Sequence, residues 1–316
     1  MTGPAGESPL ACFEVEVRAV HRMSPTFARV TFGGDCLAGF DDGGPLGPRD
    51  QRVKLVVPLA GGAAPPLRDL SPGWYPRWLA RDPALRGEMR TYTVRAVRGS
   101  GTGTEVDVDF VLHGATGPAS AWACAAERGD RVTLLGPRRG RREEYAGIEW
   151  APPAPGAGPL LLVGDETAVP AIASVLATLP AGYDGRAVLE VPAPADFLDV
   201  RTDADVAVTW LARGTHARGE LLAEAVRAVA PARGSRPVAD VDPDEVLWEP
   251  AVGGRPTGAP YVWVAGEAAV VRGLRRHLVG AAGLPRSAVT FMGYWRETPA
   301  ERPGSALRAA SGQASG

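Results

Sequence analysis

The chain has 316 residues, enough for about two domains at roughly 150 residues each. Its 34 Lys and Arg side chains against 36 Asp and Glu side chains leave a formal net charge of −2, which excludes a general attraction to nucleic acid or to an anionic bilayer. No apolar run approaches the roughly 18 residues of a membrane span, and the first residues lack the pattern of a signal peptide.

The cysteines and histidines exclude the common metal centres. Cys12, Cys36 and Cys124 lie too far apart, and are too few, for an iron–sulfur cluster of four thiolates. The 4 histidines show no metal-ligand spacing. We therefore expect a cytoplasmic protein without a bound metal, in which any redox chemistry needs an organic cofactor.

The first half of the chain, from Cys12 to about Tyr145, has the two-residue periodicity of β-strands. The predicted strands are Phe13–Val20, Phe27–Phe32, Val53–Val57, Arg90–Val97, Thr104–His113 and Arg131–Leu135. One helix, Ala119–Arg128, interrupts them, and residues 61–88 are predicted to be a long surface excursion. Short strands separated by turn residues predict a small closed antiparallel barrel.

The second half has a different periodicity. Prolines make residues 151–159 the predicted linker, and the wholly apolar Leu160–Val163 predicts a strand that is covered on both faces. The elements predicted after it are helix Ala168–Leu179, strands Ala187–Val191 and Val206–Leu211, helix Glu220–Ala230, strand Tyr261–Ala265, helix Glu267–Val279 and strand Val289–Met292. Strands that alternate with helices predict a doubly wound α/β domain.

The predicted fold class is therefore α+β with two domains. A six-stranded antiparallel β-barrel over residues 10–150 precedes a doubly wound α/β domain over residues 160–298, and residues 299–316 are predicted to be a disordered tail. The 61–88 excursion and the 233–258 insertion could be lids or tolerated surface, and the sequence leaves this open.

The strand Arg90-Thr91-Tyr92-Thr93-Val94-Arg95 combines an aromatic ring with guanidinium groups. A tyrosine can stack on a planar ring while an arginine binds phosphate through two parallel hydrogen bonds. Side chains two residues apart share a face of a strand, unless a bend intervenes. An exposed barrel strand with solvated charges explains the pattern equally well.

A glycine-rich turn follows the next predicted strand, from His113 to Gly117. Pro118 suits the first position of a helix, which leaves the backbone N–H groups of Ala119 and Ser120 at the helix start. Such a start can bind an anion, and small residues let a pyrophosphate approach the backbone. Ordinary helix capping is the alternative interpretation.

The segment Gly164–Ala171 follows the apolar strand, where open α/β sheets bind ligands. With one glycine it is not the dinucleotide-binding motif, and the carboxylates of Asp165 and Glu166 would repel a pyrophosphate. We expect Asp165, Glu166 and Thr167 to bind uncharged amide or ribose groups. Acidic residues at a helix start also stabilise the helix dipole, which is the alternative.

Together these motifs resemble the siderophore-interacting protein family, the FAD-dependent ferric-siderophore reductases of the ferredoxin-NADP reductase-like superfamily. The resemblance runs over roughly residues 13–297. It rests on the ordered set Arg90–Arg95, His113-Gly114, Gly117–Ala123, Gly129-Asp130, Gly136-Pro137, Gly164–Ala171, Trp210 with Arg213, Tyr261–Glu267 and Gly293–Arg296.

The resemblance implies an FAD bound without a covalent link to the barrel. Arg90 and the helix start would bind the pyrophosphate, Tyr92 would pack on the isoalloxazine, and Trp295 would shield it. The residues implied for this site are Arg90, Thr91, Tyr92, Thr93, Arg95, His113, Gly117, Pro118, Ala119, Ser120 and Trp295.

For NADPH or NADH the resemblance implies a site on the second domain. Its residues would be Asp165, Glu166, Thr167, Arg213, Arg218 and Glu267. Arg213 and Arg218 could hold an adenosine 2′-phosphate, which favours NADPH. Glu190, at the end of another strand, could accept a ribose hydroxyl instead and favour NADH.

The implied substrate is a ferric siderophore, whose hard anionic oxygens hold ferric iron better than ferrous iron. Lys54 and Arg296 are the implied contacts for this anionic substrate. The cofactors would carry the reaction, so no residue is required as an acid, base or nucleophile. We expect no nucleic-acid partner and no obligate protein partner.

Other functions remain compatible with the sequence. An NAD(P)H:flavin reductase, or the reductase partner of an oxygenase, would share both domains. A non-enzymatic ferric-siderophore binding protein is the alternative of a different class, and the sequence does not identify the siderophore.

Overall fold

The computed structural model describes residues 8–59, 67–112, 117–145, 147–234, 236–238, 242, 245, 247–254, 256 and 258–297. The predicted site residue His113 and the predicted tail, residues 299–316, lie outside the described residues. In the part of the chain that is described, every helix is too short or too polar to cross a membrane.

The first half forms a closed six-stranded antiparallel barrel, as predicted. Its strands are β1 (Leu10–Arg22), β2 (Phe27–Gly33), β3 (Arg52–Val57), β4 (Glu88–Arg98), β5 (Glu105–Val111) and β6 (Arg131–Pro137), in the order β1-β2-β5-β4-β3-β6. Alternation places every second side chain inside, so that Phe13, Val15 and Val17 of β1 are buried in the barrel core.

Three helical segments belong to the barrel lobe. Helix α1 (Trp74–Leu79) and helix α2 (Pro83–Arg86) lie in the 61–88 excursion, and α3 (Pro118–Ala125) follows β5. The described part of the excursion is partly buried. Its Leu67 and Trp78 side chains form a small hydrophobic cluster outside the barrel core, together with Val56, Met89 and Leu135. Burial of a tryptophan anchors this segment beside β4.

The second half is an α/β lobe. Its strands are β7 (Leu160–Gly164), β8 (Asp184–Val191), β9 (Asp205–Ala212), β10 (Trp248–Glu249), β11 (Tyr261–Glu267) and β12 (Val289–Trp295), in the order β10-β12-β11-β7-β8-β9. All neighbours are parallel except β10, which the sequence did not predict and which pairs antiparallel with β12. The sheet is therefore mixed.

Helices cover both faces of this sheet, as a doubly wound fold requires. Helix α4 (Val169–Thr178) packs on one face, and α5 (Glu220–Val229) and α6 (Ala268–Arg275) pack on the other. A π-helical turn, residues 276–281, follows α6. Because α4 lies between the sheet and β4, the second lobe is held against the barrel.

The proline-rich segment 151–159 is packed against the second lobe rather than loosely spanning the two. The Tyr183 hydroxyl donates to the Pro153 carbonyl at 2.8 Å, and the Ala151 N–H donates to the Tyr261 hydroxyl at 3.1 Å. A second tie crosses the lobes, where Asp196 accepts hydrogen bonds from the Ser24 hydroxyl and the Thr26 N–H at 2.8 and 2.9 Å. These contacts fix the lobes beside each other.

Candidate functional site

A cleft of about 840 Å³ lies between the barrel and the carboxyl ends of the parallel strands. The barrel contributes Arg52, Met89, Arg90, Thr91, Tyr92, Thr93, Asp109, Val111, Gly117, Ala119 and Ser120. The second lobe contributes Thr167, Pro170, Arg218, Trp248, Gly293, Tyr294, Trp295, Arg296 and Glu297. Most of the residues predicted for the FAD site thus meet in one space.

The four residues Arg90, Thr91, Tyr92 and Thr93 of β4 form the barrel wall of the cleft. The Tyr92 ring packs on Phe110, with ring centroids 4.4 Å apart, so the core behind it holds the ring in place. Burial raises the pKa of the Tyr92 hydroxyl, which stays protonated at neutral pH. Arg90 lines the cleft, and its guanidinium pairs with Glu88.

Arg95 does not line the cleft. The register of β4 shifts between Val94 and Ala96, so strict alternation fails at Arg95. Its Nε lies 3.8 Å from Asp109 Oδ2, and Arg29 binds the same carboxylate through two hydrogen bonds of 2.7 and 2.8 Å. Asp109 lines the cleft, so Arg95 contacts a residue of the cleft wall without lining the cleft itself.

The start of α3 lines the cleft. Gly117 precedes the helix with an extended backbone, and Pro118 occupies the first turn. A Cβ built on Gly117 would meet no atom within 4 Å, so the cleft leaves room directly at the helix start. Ala119 and Ser120 line the same space. An anionic group therefore has access to the positive end of the helix dipole.

Asp165 is buried and forms hydrogen bonds inside the second lobe. Its Oδ1 accepts from the N–H and the hydroxyl of Thr167 at 2.9 and 2.5 Å. Its Oδ2 accepts from the Glu267 N–H at 2.7 Å and the Trp295 indole N–H at 3.0 Å. Burial raises the pKa of Asp165 to about 6, and the charge of Glu166 acts in the same direction. Asp165 thus positions Thr167 and Trp295, which both line the cleft.

Glu166 is fully buried and holds two arginines. Its carboxylate accepts from Arg213 at 3.1 and 3.3 Å and from Arg218 at 2.6 Å. Burial by itself would raise the pKa of Glu166, but the hydrogen bonds and charges of the two arginines outweigh it and lower the pKa below its usual value. Arg213 also pairs with Glu190 at 3.2 Å, while Arg218 reaches the cleft.

The Glu267 side chain binds backbone N–H groups of the second lobe and does not line the cleft. It caps α6, where its side chain accepts hydrogen bonds from the N–H groups of Ala269 and Val270 at 2.6 and 3.0 Å. Its other oxygen accepts from the Glu297 N–H at 3.3 Å. The helix predicted from Glu267 therefore begins one residue later, with Glu267 as its cap.

The two predicted substrate contacts lie at the rim. Arg296 is exposed and lines the cleft, and one of its guanidinium nitrogens donates to the Glu245 carbonyl at 3.3 Å. The Lys54 ammonium donates to the Thr91 hydroxyl at 3.1 Å and is thus one residue from the cleft wall. Burial lowers the pKa of Lys54, and the charge of Arg52 acts in the same direction.

Several cleft residues were missed by sequence reasoning, and three of them form one stacked cluster. Arg52 stacks over the Trp248 ring at 4.2 Å, and Trp248 stacks on Tyr294 with ring centroids 6.0 Å apart. Arg52 could have been found, because it lies two residues before Lys54 on the same face of β3. Trp248 lies within the 233–258 insertion and forms a strand of two residues, so no periodic signal marked it.

Comparisons with known proteins match both halves of the chain. A family model described as "Siderophore-interacting FAD-binding domain" matches residues 16–141, and one described as "Siderophore-interacting protein" matches residues 157–298. The chain belongs to the siderophore-interacting protein family. The predicted resemblance is therefore confirmed, and the barrel carries the family's FAD-binding domain.

Three similar proteins illustrate the match. An uncharacterised protein of Mycobacterium tuberculosis is 34% identical over 296 residues, which are 91% of this chain and 90% of that one. The ferric vibriobactin reductase ViuB of Vibrio cholerae is 30% identical over 209 residues, 65% of this chain and 68% of that one. A solved siderophore utilization protein from T. fusca is 28% identical, covers 92% of this chain and 94% of its own, and superposes with a TM-score of 0.66.

The cleft fits the FAD that the family binds. Tyr92 offers a ring backed by the barrel core, Arg90 offers a guanidinium, and the start of α3 offers open space beside its backbone. A ring, a guanidinium and a helix start are what an isoalloxazine joined to a pyrophosphate requires. With FAD as its cofactor, this member of the siderophore-interacting family is a flavin-dependent oxidoreductase.

Proposed function

We propose that the protein reduces ferric siderophores with electrons from a reduced nicotinamide nucleotide, through FAD bound in the interlobe cleft. One observation carries the proposal: Tyr92 and the start of α3 from one lobe share a single cleft with Thr167 and Trp295 from the other. A flavin and a nicotinamide must approach each other closely for hydride transfer, and a cleft shared by two lobes supports that approach.

On the barrel side, each residue has a separate task. Tyr92 supports one face of the isoalloxazine, and its position is held by Phe110. Arg90 and the first N–H groups of α3 bind the pyrophosphate, for which Arg90 exchanges Glu88 for the phosphate. Bound FAD supplies the conversion of a two-electron donor into single electrons, which iron requires.

On the side of the second lobe, Trp295 and Thr167 shape the space for the nicotinamide. Asp165 holds both residues by hydrogen bonds, so it acts as a positioning residue rather than a ligand. The Trp295 ring also lies over the Arg218 guanidinium, 4.7 Å from its central carbon. A ring held from two directions excludes water from the cleft until a nucleotide takes its place.

At the rim, Arg296 places positive charge on the cleft surface, and Lys54 adds a second positive charge beside Thr91 of the cleft wall. Siderophores bind ferric iron through hard anionic oxygens, so positive charge at the rim favours the ferric complex, and reduction weakens the binding of iron. The similar protein ViuB is named a ferric vibriobactin reductase, which supports a ferric siderophore as the substrate. The free cysteines are consistent with a reducing cytoplasm, where we place the activity, without an obligate protein partner.

The test is an anaerobic assay of the FAD-loaded protein with NADH or NADPH, a ferric siderophore and a ferrous-specific chelator. We expect ferrous chelate to form only when nucleotide, protein and ferric siderophore are all present. Reduction of free flavin with iron left ferric would identify a flavin reductase instead. Binding of the siderophore without reduction of FAD would identify a non-enzymatic carrier.

Substitutions at the rim test the substrate contacts separately. Lys54→Gln and Arg296→Gln should each raise KM for an anionic ferric siderophore by up to about fivefold, since one charge near the surface contributes up to about 1 kcal/mol. Reduction of FAD by the nucleotide should not change. Arg201→Gln is the matched control, because Arg201 is exposed and pairs with Asp199 away from the cleft. Equal effects of all three variants would remove the rim from the site.

A further inference from the structure

The two arginines that could bind a 2′-phosphate are already neutralised by carboxylates. Arg213 lies between Glu166 and Glu190, at 3.1 and 3.2 Å. Arg218 lies between Glu166, at 2.6 Å, and Glu297, at 3.8 Å. These two positive charges thus face three carboxylates, of which two are completely buried.

Burial of the carboxylates makes it costly for Arg213 or Arg218 to leave these ion pairs and bind a ligand instead. Moving Arg213 or Arg218 from Glu166 to a phosphate would take one of two positive partners from a buried carboxylate, and weakening a buried ion pair is costly. Glu166 also keeps its negative charge at neutral pH, because the arginines lower its pKa. An ionised carboxylate behind the cleft wall repels a second anion.

The buried carboxylate of Glu190 is also bound by groups of the protein itself. Its oxygens accept hydrogen bonds from the N–H groups of Gly219 and Leu222 at 2.9 and 3.4 Å, besides the ion pair with Arg213. The sequence-based alternative, in which Glu190 accepts a ribose hydroxyl, is not supported, since the side chain is wholly buried. In the same loop His216 pairs with Glu220 at 3.4 Å. Every basic side chain described between residues 213 and 220 therefore has an acidic partner.

We propose that Glu166 is a specificity-determining residue, which withholds Arg213 and Arg218 from a nucleotide 2′-phosphate and so directs the cleft to NADH. The inference rests on the proposed function, because it assumes that a reduced nicotinamide nucleotide is the electron donor. NADH lacks the 2′-phosphate, so it needs no unpaired guanidinium at this edge of the sheet. Arg218 then holds Trp295 in place instead of binding phosphate.

The test compares the two nucleotides on the FAD-loaded protein. In the wild type, kcat/KM for anaerobic reduction of FAD should be at least about tenfold higher with NADH than with NADPH, the factor that one charge-assisted hydrogen bond supplies. Glu166→Gln keeps the shape of the side chain and removes its charge. This variant should shift the ratio towards NADPH by about tenfold, because Arg218 becomes available to the 2′-phosphate.

Glu220→Gln is the matched control, since it removes a nearby carboxylate, at the start of α5, that pairs with His216 and not with either arginine. It should leave the ratio unchanged. Arg218→Gln serves if Glu166→Gln does not fold. If Arg218 of the wild type does not bind the 2′-phosphate of NADPH, Arg218→Gln changes the ratio of kcat/KM for the two nucleotides by less than about twofold. Loosening of Trp295 then alters the rates with NADH and NADPH alike. A loss confined to NADPH would overturn the inference.

Equilibrium binding separates this inference from the proposed function. NAD⁺ and NADP⁺ are titrated into the FAD-loaded protein, with tryptophan fluorescence as the signal. If neither reduced nucleotide reduces FAD but NAD⁺ binds at least about tenfold more tightly, the proposed function fails and the specificity assignment stands. Equal or tighter binding of NADP⁺ overturns the assignment, as does an unchanged ratio in Glu166→Gln. Binding of neither nucleotide overturns both.

Discussion

The Trp295 indole N–H donates to Oδ2 of Asp165 at 3.0 Å, which ties the end of β12 to the residue directly after β7. The same carboxylate oxygen accepts the Glu267 N–H, so one buried side chain joins the ends of three neighbouring parallel strands. The aromatic residue of the cleft is therefore held by the sheet itself. Its position depends on the charge of Asp165, which has a testable consequence.

Trp295→Phe removes the indole donor and keeps an aromatic ring in the cleft. We expect the free energy of unfolding to fall by about 2 kcal/mol at pH 8, where Asp165 is ionised, because a hydrogen bond to a charged acceptor is lost. At pH 5, below the pKa of about 6, the loss should be smaller because the carboxyl is largely protonated. Urea denaturation at both pH values measures the difference. An equal loss at both would show that the bond does not depend on that charge.

Tyr92 is predicted to carry FAD affinity through its ring. Tyr92→Ala should weaken FAD binding at least about tenfold, because it removes the stacking surface and its packing on Phe110. Tyr92→Phe, the matched control, retains the ring and should bind FAD nearly as the wild type does. Quenching of flavin fluorescence during titration of the apoprotein gives both dissociation constants. Unchanged affinity in Tyr92→Ala would remove Tyr92 from the FAD site.

Two glycines of the cleft region should respond in opposite ways to a methyl group. Gly266 has a φ of +147°, and a Cβ there would lie 2.8 Å from the Asp165 carboxylate. Gly266→Ala should therefore lower the free energy of unfolding by about 2–4 kcal/mol through strain and a displaced carboxylate.

At Gly117 a Cβ would meet no atom within 4 Å, and the backbone is extended. Gly117→Ala should leave apoprotein stability within about 0.5 kcal/mol and weaken FAD binding, because the methyl group occupies space at the helix start. Thermal unfolding of the apoprotein and FAD titration test the pair. Comparable destabilisation by both substitutions would contradict the open space seen at Gly117.

Asp50 makes stability depend on pH. Burial raises its pKa from 3.8 to about 6, although the backbone N–H groups of Glu149 and Trp150 oppose this. The folded chain thus binds this proton more tightly than the unfolded chain. The resulting stabilisation is complete below pH 4 and is lost as the pH rises through 6.

Asp50→Asn removes that titration. Its free energy of unfolding relative to the wild type should rise by up to about 3 kcal/mol between pH 4 and pH 7, the equivalent of about two pKa units. Asp199→Asn, which removes an exposed carboxylate, should show no such slope. Parallel pH profiles of Asp50→Asn and the wild type would show that Asp50 does not titrate in this range.

The sequence by itself determined both lobes, because their signals are local. Alternation with a period of two marks each barrel strand, and the apolar Leu160–Val163 marks a strand buried on both faces. The Arg90–Thr93 strand, the start of α3 and Trp295 were also identified as site residues, and the structure brings them into one cleft. Each of these motifs is continuous in the chain.

The tertiary structure alone decided which charges meet. Glu166 lies 47 residues from Arg213 and 52 from Arg218, so no periodicity could show that they form ion pairs. Strand β10 has only two residues, and the shift of register at Arg95 breaks the two-residue alternation of β4. Ion pairs and register both depend on where distant segments of the chain pack. A buried charge is costly unless it is paired, and only the packing decides which charges are buried together.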